Sequence, residues 1–470
     1  MYDAIVVGAR ISGASVAMLL AKLGYRVLLV DRASFPSPTS SSTNLIHPPG
    51  VYRLRKWGVL DRLADRTGPA ITRYRLQTGS VRLEAPLPAV GDVQHALSPP
   101  RLALDHSLVQ CAVDAGVELR EGVSVQDLLR DDDGAVAGIV GTVRGQGRFL
   151  EKASIVIGAD GKNSSVAQLV GATKYREQPV LSRSSWTYWE GLPQESLVRT
   201  YRKNQRHPFT WPTHDGLTIV GVAWPADSFP ARGSAESTDQ VVIDAFADVD
   251  EDFAEQLRDT RRADRWLTGA VPNFLRVPQG SGWALTGDSA ATRDPITASG
   301  ITYALMGAEL LAHAVDTGLS GRRPMAQAMA TYARDRDHMV LHHYDYTCDY
   351  ARVAEHSPEE RALIEAMSRS PRHARDMIGL FATVVSPTDF YTRSNFRELF
   401  DYLNDAGGLP LKIRLLRLLL HGIPGPQAVP AAVADRLIAG RLGLMGRLLL
   451  RSRKPEAITI RTPRMEGKQQ

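Results

Sequence analysis

The stretch AIVVGARISGASVAMLLAKLGYRVLLVDRA, residues 4–33, narrows the folds open to this chain more than any other. A short apolar run meets a glycine at Gly8. A helix-forming segment follows from about Ile11, and a second apolar run ends in Asp31. That order predicts strand, tight turn, helix, strand, the opening unit of a parallel sheet of dinucleotide-binding type. Gly8 lets the strand turn sharply, and Gly13 lets the helix pack closely on the strand. The free N–H groups at the helix start suit a pyrophosphate. Asp31 is placed to accept hydrogen bonds from ribose hydroxyls, and Arg32 beside it belongs to the same candidate site. Arg10 departs from G-x-G-x-x-G, at a position that ordinarily lacks a side chain. It fits only if its side chain swings away from the turn, where a guanidinium can also reach a phosphate. By itself the unit is equally compatible with a βαβ crossover that binds nothing.

Two further stretches bear on that choice. ASIVIGADGKNSSVAQLVGA, residues 153–172, reads as an apolar strand ending in Asp160–Gly161 before a helix start. GWALTGDSAATRDPITASGITYALMGAELLAHAV, residues 282–315, reads as a strand ending in Gly287–Asp288, a proline loop and a long helix. Taken singly, Asp160 and Asp288 read as helix caps or turn residues. In this order and at these distances, the three motifs resemble the single-component FAD-dependent monooxygenase superfamily of the aromatic-hydroxylase type, related to flavin halogenases and geranylgeranyl reductases. The resemblance spans about residues 1–400.

The resemblance implies FAD as cofactor and NAD(P)H as a transient reductant that docks in a groove. Molecular oxygen would add to the reduced flavin, and a flavin hydroperoxide would hydroxylate or epoxidise an aromatic, polyketide-like or other apolar small molecule. Asp160 and Gly161 would lie near FAD. Asp288, after Gly287, would bond the ribityl chain, and Pro295, Ser299 and Gly300 would face the flavin pyrimidine edge. Arg101 in PRLALDHSL would contact the cofactor. Besides Arg10, the chain departs from the family pattern at Ala291–Thr292, where many relatives carry a histidine, and at TASG in place of Gly-x-Gly.

The implied fold class is α/β. A Rossmann-like FAD-binding domain is formed by residues 1–176 and 273–330. Between them, 177–272 is rich in aromatic and β-branched runs broken by Gly and Pro, which predicts an inserted antiparallel β-sheet substrate domain. Residues 331–470 read as a C-terminal helical region. On the substrate side, Trp186, Tyr188 and Trp189 are candidates to wall an aromatic substrate, with ordinary core packing as the alternative. His47 and Arg293 are the candidate catalytic groups, His47 as a general base, with a helix-capping or packing histidine as the equal alternative, and Arg293 as a sensor of cofactor charge. No histidines stand at metal-ligand spacing, so no metal site is expected.

Composition excludes several classes. The two cysteines, Cys111 and Cys348, are far apart, which suits a reducing cytoplasm. The first strand starts almost at once, which leaves no room for a leader peptide. The net charge of +5 is concentrated: residues 411–454 hold nine Lys/Arg and one Asp, so the remainder carries 5 − 8 = −3. That is not the distribution of a nucleic-acid binder. The leucine- and arginine-rich segments there predict amphipathic helices. These would pack on the body or a second subunit as in a homo-oligomer, lie on an anionic membrane surface, or bind a partner. Rival activities are a flavin halogenase and an isoprenoid alkene reductase. WTYWEGLP is one residue too long for the halogenase W-x-W-x-I-P motif. A non-redox escort protein on the same scaffold is a further alternative.

Overall fold

The computed structural model describes residues 1–38, 42–145, 147–230, 235–392, 395 and 398–399. The chain divides into two units, Met1–Ser386 and Pro387–Gln470. Of the second unit, the short helix Pro387–Phe390 is described. The cationic segment 411–454 lies outside the described residues.

The first unit is built on a sheet ordered Gln279–Gly280, Trp283–Leu285, Gly147–Gly158, Tyr2–Val7, Val27–Asp31, Glu118–Glu121. Its four internal pairings between Trp283–Leu285 and Glu118–Glu121 are all parallel. Continuous apolar runs suit strands covered on both faces. Ala4 and Val6 point to a core shared with the helices Ile11–Lys22, Arg101–Asp114 and Gly300–Leu319. Ile5 and Val7 point to a second core, which includes Ile139 and Val166. The strand Gly147–Gly158 serves two layers. Its first half pairs antiparallel with Val136–Val143 and its second half parallel with Tyr2–Val7.

The parallel register aligns the strand ends. Val7 lies opposite Val30 and Gly158, and Gly158 lies opposite Leu285. All three motifs therefore leave the sheet at one edge, beyond the carboxyl ends of its strands, where open parallel sheets bind ligands. Close packing fixes them together. Gly8 has φ +102°, and a Cβ on it would come 2.5 Å from the Ala159 carbonyl oxygen of the second motif. A Cβ on Gly13 would fall 1.7 Å from the Gly8 oxygen, so the helix sits directly on the turn. Ser12 donates to Thr286 Oγ1 at 3.0 Å, tying the same helix to the third motif.

A second sheet roofs this edge. Its order is Arg261–Arg262, Ser182–Glu190, Thr218–Pro225, His207–Pro212, Leu197–Arg202, Arg73–Thr78, Val81–Pro86, with Leu267–Gly269 also paired to Ser182–Glu190. The sheet is not confined to residues 177–272. Two of its strands come from 73–86, because Arg73–Thr78 pairs in parallel with Leu197–Arg202. The helices Ala235–Ala247 and Glu251–Asp259 supply Phe246 and Phe253 to the core behind the sheet.

Gly13→Ala tests the seat of the first helix. The added methyl forces helix and turn apart, a strain that costs about 1–3 kcal/mol. We expect lower thermal stability together with loss of bound flavin. Retention of both, by thermal melt and absorbance, would contradict this packing.

Candidate active site

A cleft of about 680 Å³ opens where the strand ends meet the roof sheet, within the range of cofactor and substrate sites. Gly8, Arg10, Asp31, Arg32 and Arg101 line it, together with Asp160, Gly161, Gly287, Asp288, Arg293, Pro295 and Gly300. Gly13 lies beneath the turn rather than on the cleft wall.

Asp31 holds the first turn in place, accepting from the N–H groups of Ala9 at 2.7 Å and Ala33 at 2.8 Å. Arg10 swings away from the turn, as its position requires. Its guanidinium donates to Asp105 Oδ2 at 2.8 Å and to Ser37 Oγ at 3.2 Å. The cleft face of the turn is left to backbone N–H groups at the start of Ile11–Lys22.

The Asp160 carboxylate is used by the protein itself. Ser164 Oγ at 2.5 Å, Ser289 Oγ at 3.2 Å and the N–H groups of Ser165 and Val166 donate to it. It thus caps the helix Ser165–Leu169 and leaves the neighbouring backbone to face the cleft. Ser289 also accepts from the Gly161 N–H at 2.9 Å, joining the second and third motifs. The loop after Asp288 is braced from behind by two buried arginines. Arg276 donates to the Ser289 carbonyl at 2.8 Å and Arg336 to the Ala290 carbonyl at 3.0 Å.

Asp288 differs from Asp160. Its carboxylate has no hydrogen-bond partner in the described structure and is open to the cleft. Burial at the cleft floor pushes its pKa up, opposed by the charges of Arg293, Arg101 and Lys162. While water fills the cleft the carboxylate is hydrated, so burial acts fully only once a ligand displaces that water. A carboxylate with no protein partner, facing the cleft, fits a polyhydroxylated ligand. Arg293 presents the complementary feature: its Nη1 is buried without an acceptor, and its guanidinium stacks 3.8 Å over the Tyr303 ring. Gly300 starts a 20-residue helix whose N-terminus lines the cleft, so the positive end of its dipole suits an anionic ligand edge. These residues fit FAD.

Asp294 anchors this loop to the roof. Its carboxylate accepts from the Ser182 hydroxyl at 2.8 Å and from the N–H of Ile296 at 3.1 Å. Burial raises its pKa to about 6, against the opposing hydrogen bonds from Ser182.

Three expectations are corrected. His47 does not line the cleft; it is fully buried, and both ring nitrogens are committed. Nε2 lies 2.9 Å from the Thr297 carbonyl, which only accepts, so Nε2 carries the proton and Nδ1 accepts from Tyr74 at 2.8 Å. Burial lowers its pKa to about 4. His47 is thus a neutral brace of the Pro295–Gly300 loop and not a free base. Trp189 also turns away from the cleft. It packs with Phe246 and Phe253 behind the roof and donates to Thr260 at 2.9 Å. Trp186 does line the cleft, and Tyr188 OH accepts from Asn44, a cleft residue, at 2.6 Å. Ser299 is buried against Thr297 at 3.0 Å rather than facing the cleft. Asp105, Ser289, Arg276 and Arg336 were missed. Asp105 alone left a signal, four residues after Arg101 within one predicted helix.

Residues 1–345 match the family model described as FAD binding domain, and the chain belongs to that family. It is an FAD-dependent oxidoreductase. It is 27% identical over 342 residues to a menaquinone reductase of Mycolicibacterium smegmatis, covering 67% of this chain and 76% of that one. It is 26% identical over 388 residues to a rifampicin monooxygenase of Streptomyces venezuelae, covering 79% and 73%. Among solved structures, the flavin-dependent brominase Bmp2 superposes with a TM-score of 0.69 at 15% identity, over 86% of this chain and 98% of that one, and so shares the fold. No helix among the described residues is long and apolar enough to cross a membrane.

Two outcomes are expected. Asp288→Ala removes a carboxylate left open to the cleft, so the purified variant should fold yet lose most of its FAD absorbance. Undiminished flavin content would remove Asp288 from the site. The second concerns acid. His47, His207 and His343 are fully buried, and burial lowers them to about 4, about 3 and about 3. Each value lies below the unfolded 6.5. The stability tied to these neutral rings is therefore present above pH 6.5 and is lost as pH falls towards their folded values. Each contributes a loss of about 1.4 kcal/mol per pH unit, or about 4 kcal/mol together. Asp294, raised above its unfolded 3.8, acts in the opposite sense, its contribution fading as pH rises through about 6. The net expectation is a steep fall in melting temperature between pH 6.5 and 5.5. A flat profile there would contradict these buried states.

Proposed function

We propose that the protein is an NAD(P)H-dependent monooxygenase that inserts oxygen into an aromatic or polycyclic small molecule. The observation that carries this reading is the lining of the cleft beyond the flavin loop. Trp186, Phe209 and Trp211 descend from the roof sheet, and Phe381 and Ile296 join them. Phe209 and Trp211 are stacked, with centroids 5.3 Å apart and planes at 24°. Such a wall suits flat apolar ligands by offset stacking and excludes water.

Bound FAD would supply the redox chemistry. The chain's residues supply position and charge. Asp288 offers acceptors to hydroxyl groups, and the backbone at the Gly8 turn offers donors to phosphate. The N-terminus of Gly300–Leu319 and the unpaired Arg293 Nη1 favour negative charge beside the flavin loop.

A second reading, reduction of an isoprenoid alkene, is favoured by the identity to menaquinone reductases. The FAD-loaded protein is tested with NADH and NADPH against phenolic, polyketide and isoprenoid compounds, with and without halide. The expected result is substrate-dependent oxygen uptake matching NAD(P)H consumption, with a product heavier by one oxygen atom. Gain of two hydrogens without oxygen uptake would replace this reading by the reductase. A halide-dependent mass gain would replace it by a halogenase.

A further inference from the structure

We propose that Asp105 is the positioning residue that makes an arginine compatible with FAD in the fingerprint turn. Two observations combine. First, the Arg10 backbone is extended, φ −83° and ψ −165°, a conformation open to any L-residue. The obstacle at this position is thus the side chain and not the chain path. Second, that side chain has one direction imposed on it. Asp105 is completely buried, and its carboxylate accepts from Arg10 Nη1 at 2.8 Å, Arg101 Nε at 3.1 Å and Arg101 Nη2 at 3.0 Å. Arg10 also donates to Ser37 Oγ at 3.2 Å and, at longer range, to the carbonyls of Pro38 at 3.4 Å and Ser37 at 3.5 Å. The guanidinium is drawn sideways onto the helix Arg101–Asp114, and the seat above the turn stays clear.

The charges are arranged unevenly. Two guanidinium groups share one carboxylate, which leaves one net positive charge where both arginines line the cleft. With both guanidinium groups held aside on Asp105, the seat of a pyrophosphate is left to the backbone N–H groups of the turn. Removing Asp105 leaves two cations unpaired. Arg101, with its side chain 14% exposed, has little room to move. Arg10, at 34%, would keep only its contacts to Ser37 and Pro38, two of them at 3.4–3.5 Å, and has room to fold over the turn. Removing Arg10 is milder, because Arg101 already occupies both carboxylate oxygens.

The roles are therefore not additive, and the sign of the coupling is the test. FAD release from the holoenzyme on dilution is followed by flavin fluorescence for Arg10→Gly, Asp105→Ala and the double variant, with melting curves in parallel. Asp105→Ala should weaken FAD binding by about tenfold or more, the scale of a lost charged hydrogen bond. Arg10→Gly should stay within about threefold of the parent, and adding it to Asp105→Ala should restore part of the lost affinity, by about threefold or more. Asp105→Asn, which keeps the shape, serves if the alanine variant does not fold, and should also weaken FAD binding and be relieved by Arg10→Gly. A double variant no better than Asp105→Ala would overturn the proposal. So would an Arg10→Gly variant as weak as Asp105→Ala, which would make the arginine a direct ligand. Unchanged binding in both Asp105 variants would overturn it as well.

Discussion

The cleft depends on one contact between backbones: the Gly8 turn against Ala159, with room for no side chain between them. Parallel pairing of Tyr2–Val7 with Gly147–Gly158 brings the two strand ends level. Absence of a Cβ then lets the two loops touch. Everything downstream is referenced to that point. The helix Ile11–Lys22 lies on the turn through Gly13, and Ser12 carries the reference to the third strand through Thr286. A helix N-terminus, an open carboxylate and an unpaired guanidinium thereby face one space, although they come from distant stretches of chain.

Those parts of the site that were legible in the sequence are the ones whose backbone demands a particular residue. A sharp turn after a parallel strand needs glycine, and an acid at a strand end is marked by its place. What stayed hidden depends on long-range partners. Nothing near Arg276 or Arg336 announces that they hold the carbonyls of Ser289 and Ala290. The strand Arg73–Thr78 gives no sign that its neighbour is Leu197–Arg202. His47 shows why residue type alone misleads, since a base is useful only with a free nitrogen. Trp189 was decidable from the alternation of a strand: it is three residues from Trp186 and must face the other way.

Arginine recurs at each support of the cleft, with a different task each time. At the cleft wall, Arg10 and Arg101 share a carboxylate, so their charge is half compensated. Behind the loop after Asp288, Arg276 and Arg336 act as multidentate donors to backbone oxygens that would otherwise be buried unpaired. Arg293 rests on an aromatic face and keeps a donor in reserve. A lysine could replace few of these, because the planar fork addresses several acceptors at once.

The roof sheet is woven from two separated stretches, 73–86 and 182–269, so the chain passes between floor and roof more than once. Asp294 adds a further stitch, from the loop before Pro295 to Ser182. A roof attached this way has no single hinge about which to swing, unlike two lobes joined by one linker. Ligand traffic must then rely on local rearrangement of loops and side chains at the rim. It follows that the roof cannot be exchanged between relatives as one contiguous cassette: a graft of the central stretch alone would leave its outermost strand without the partner it grew up against.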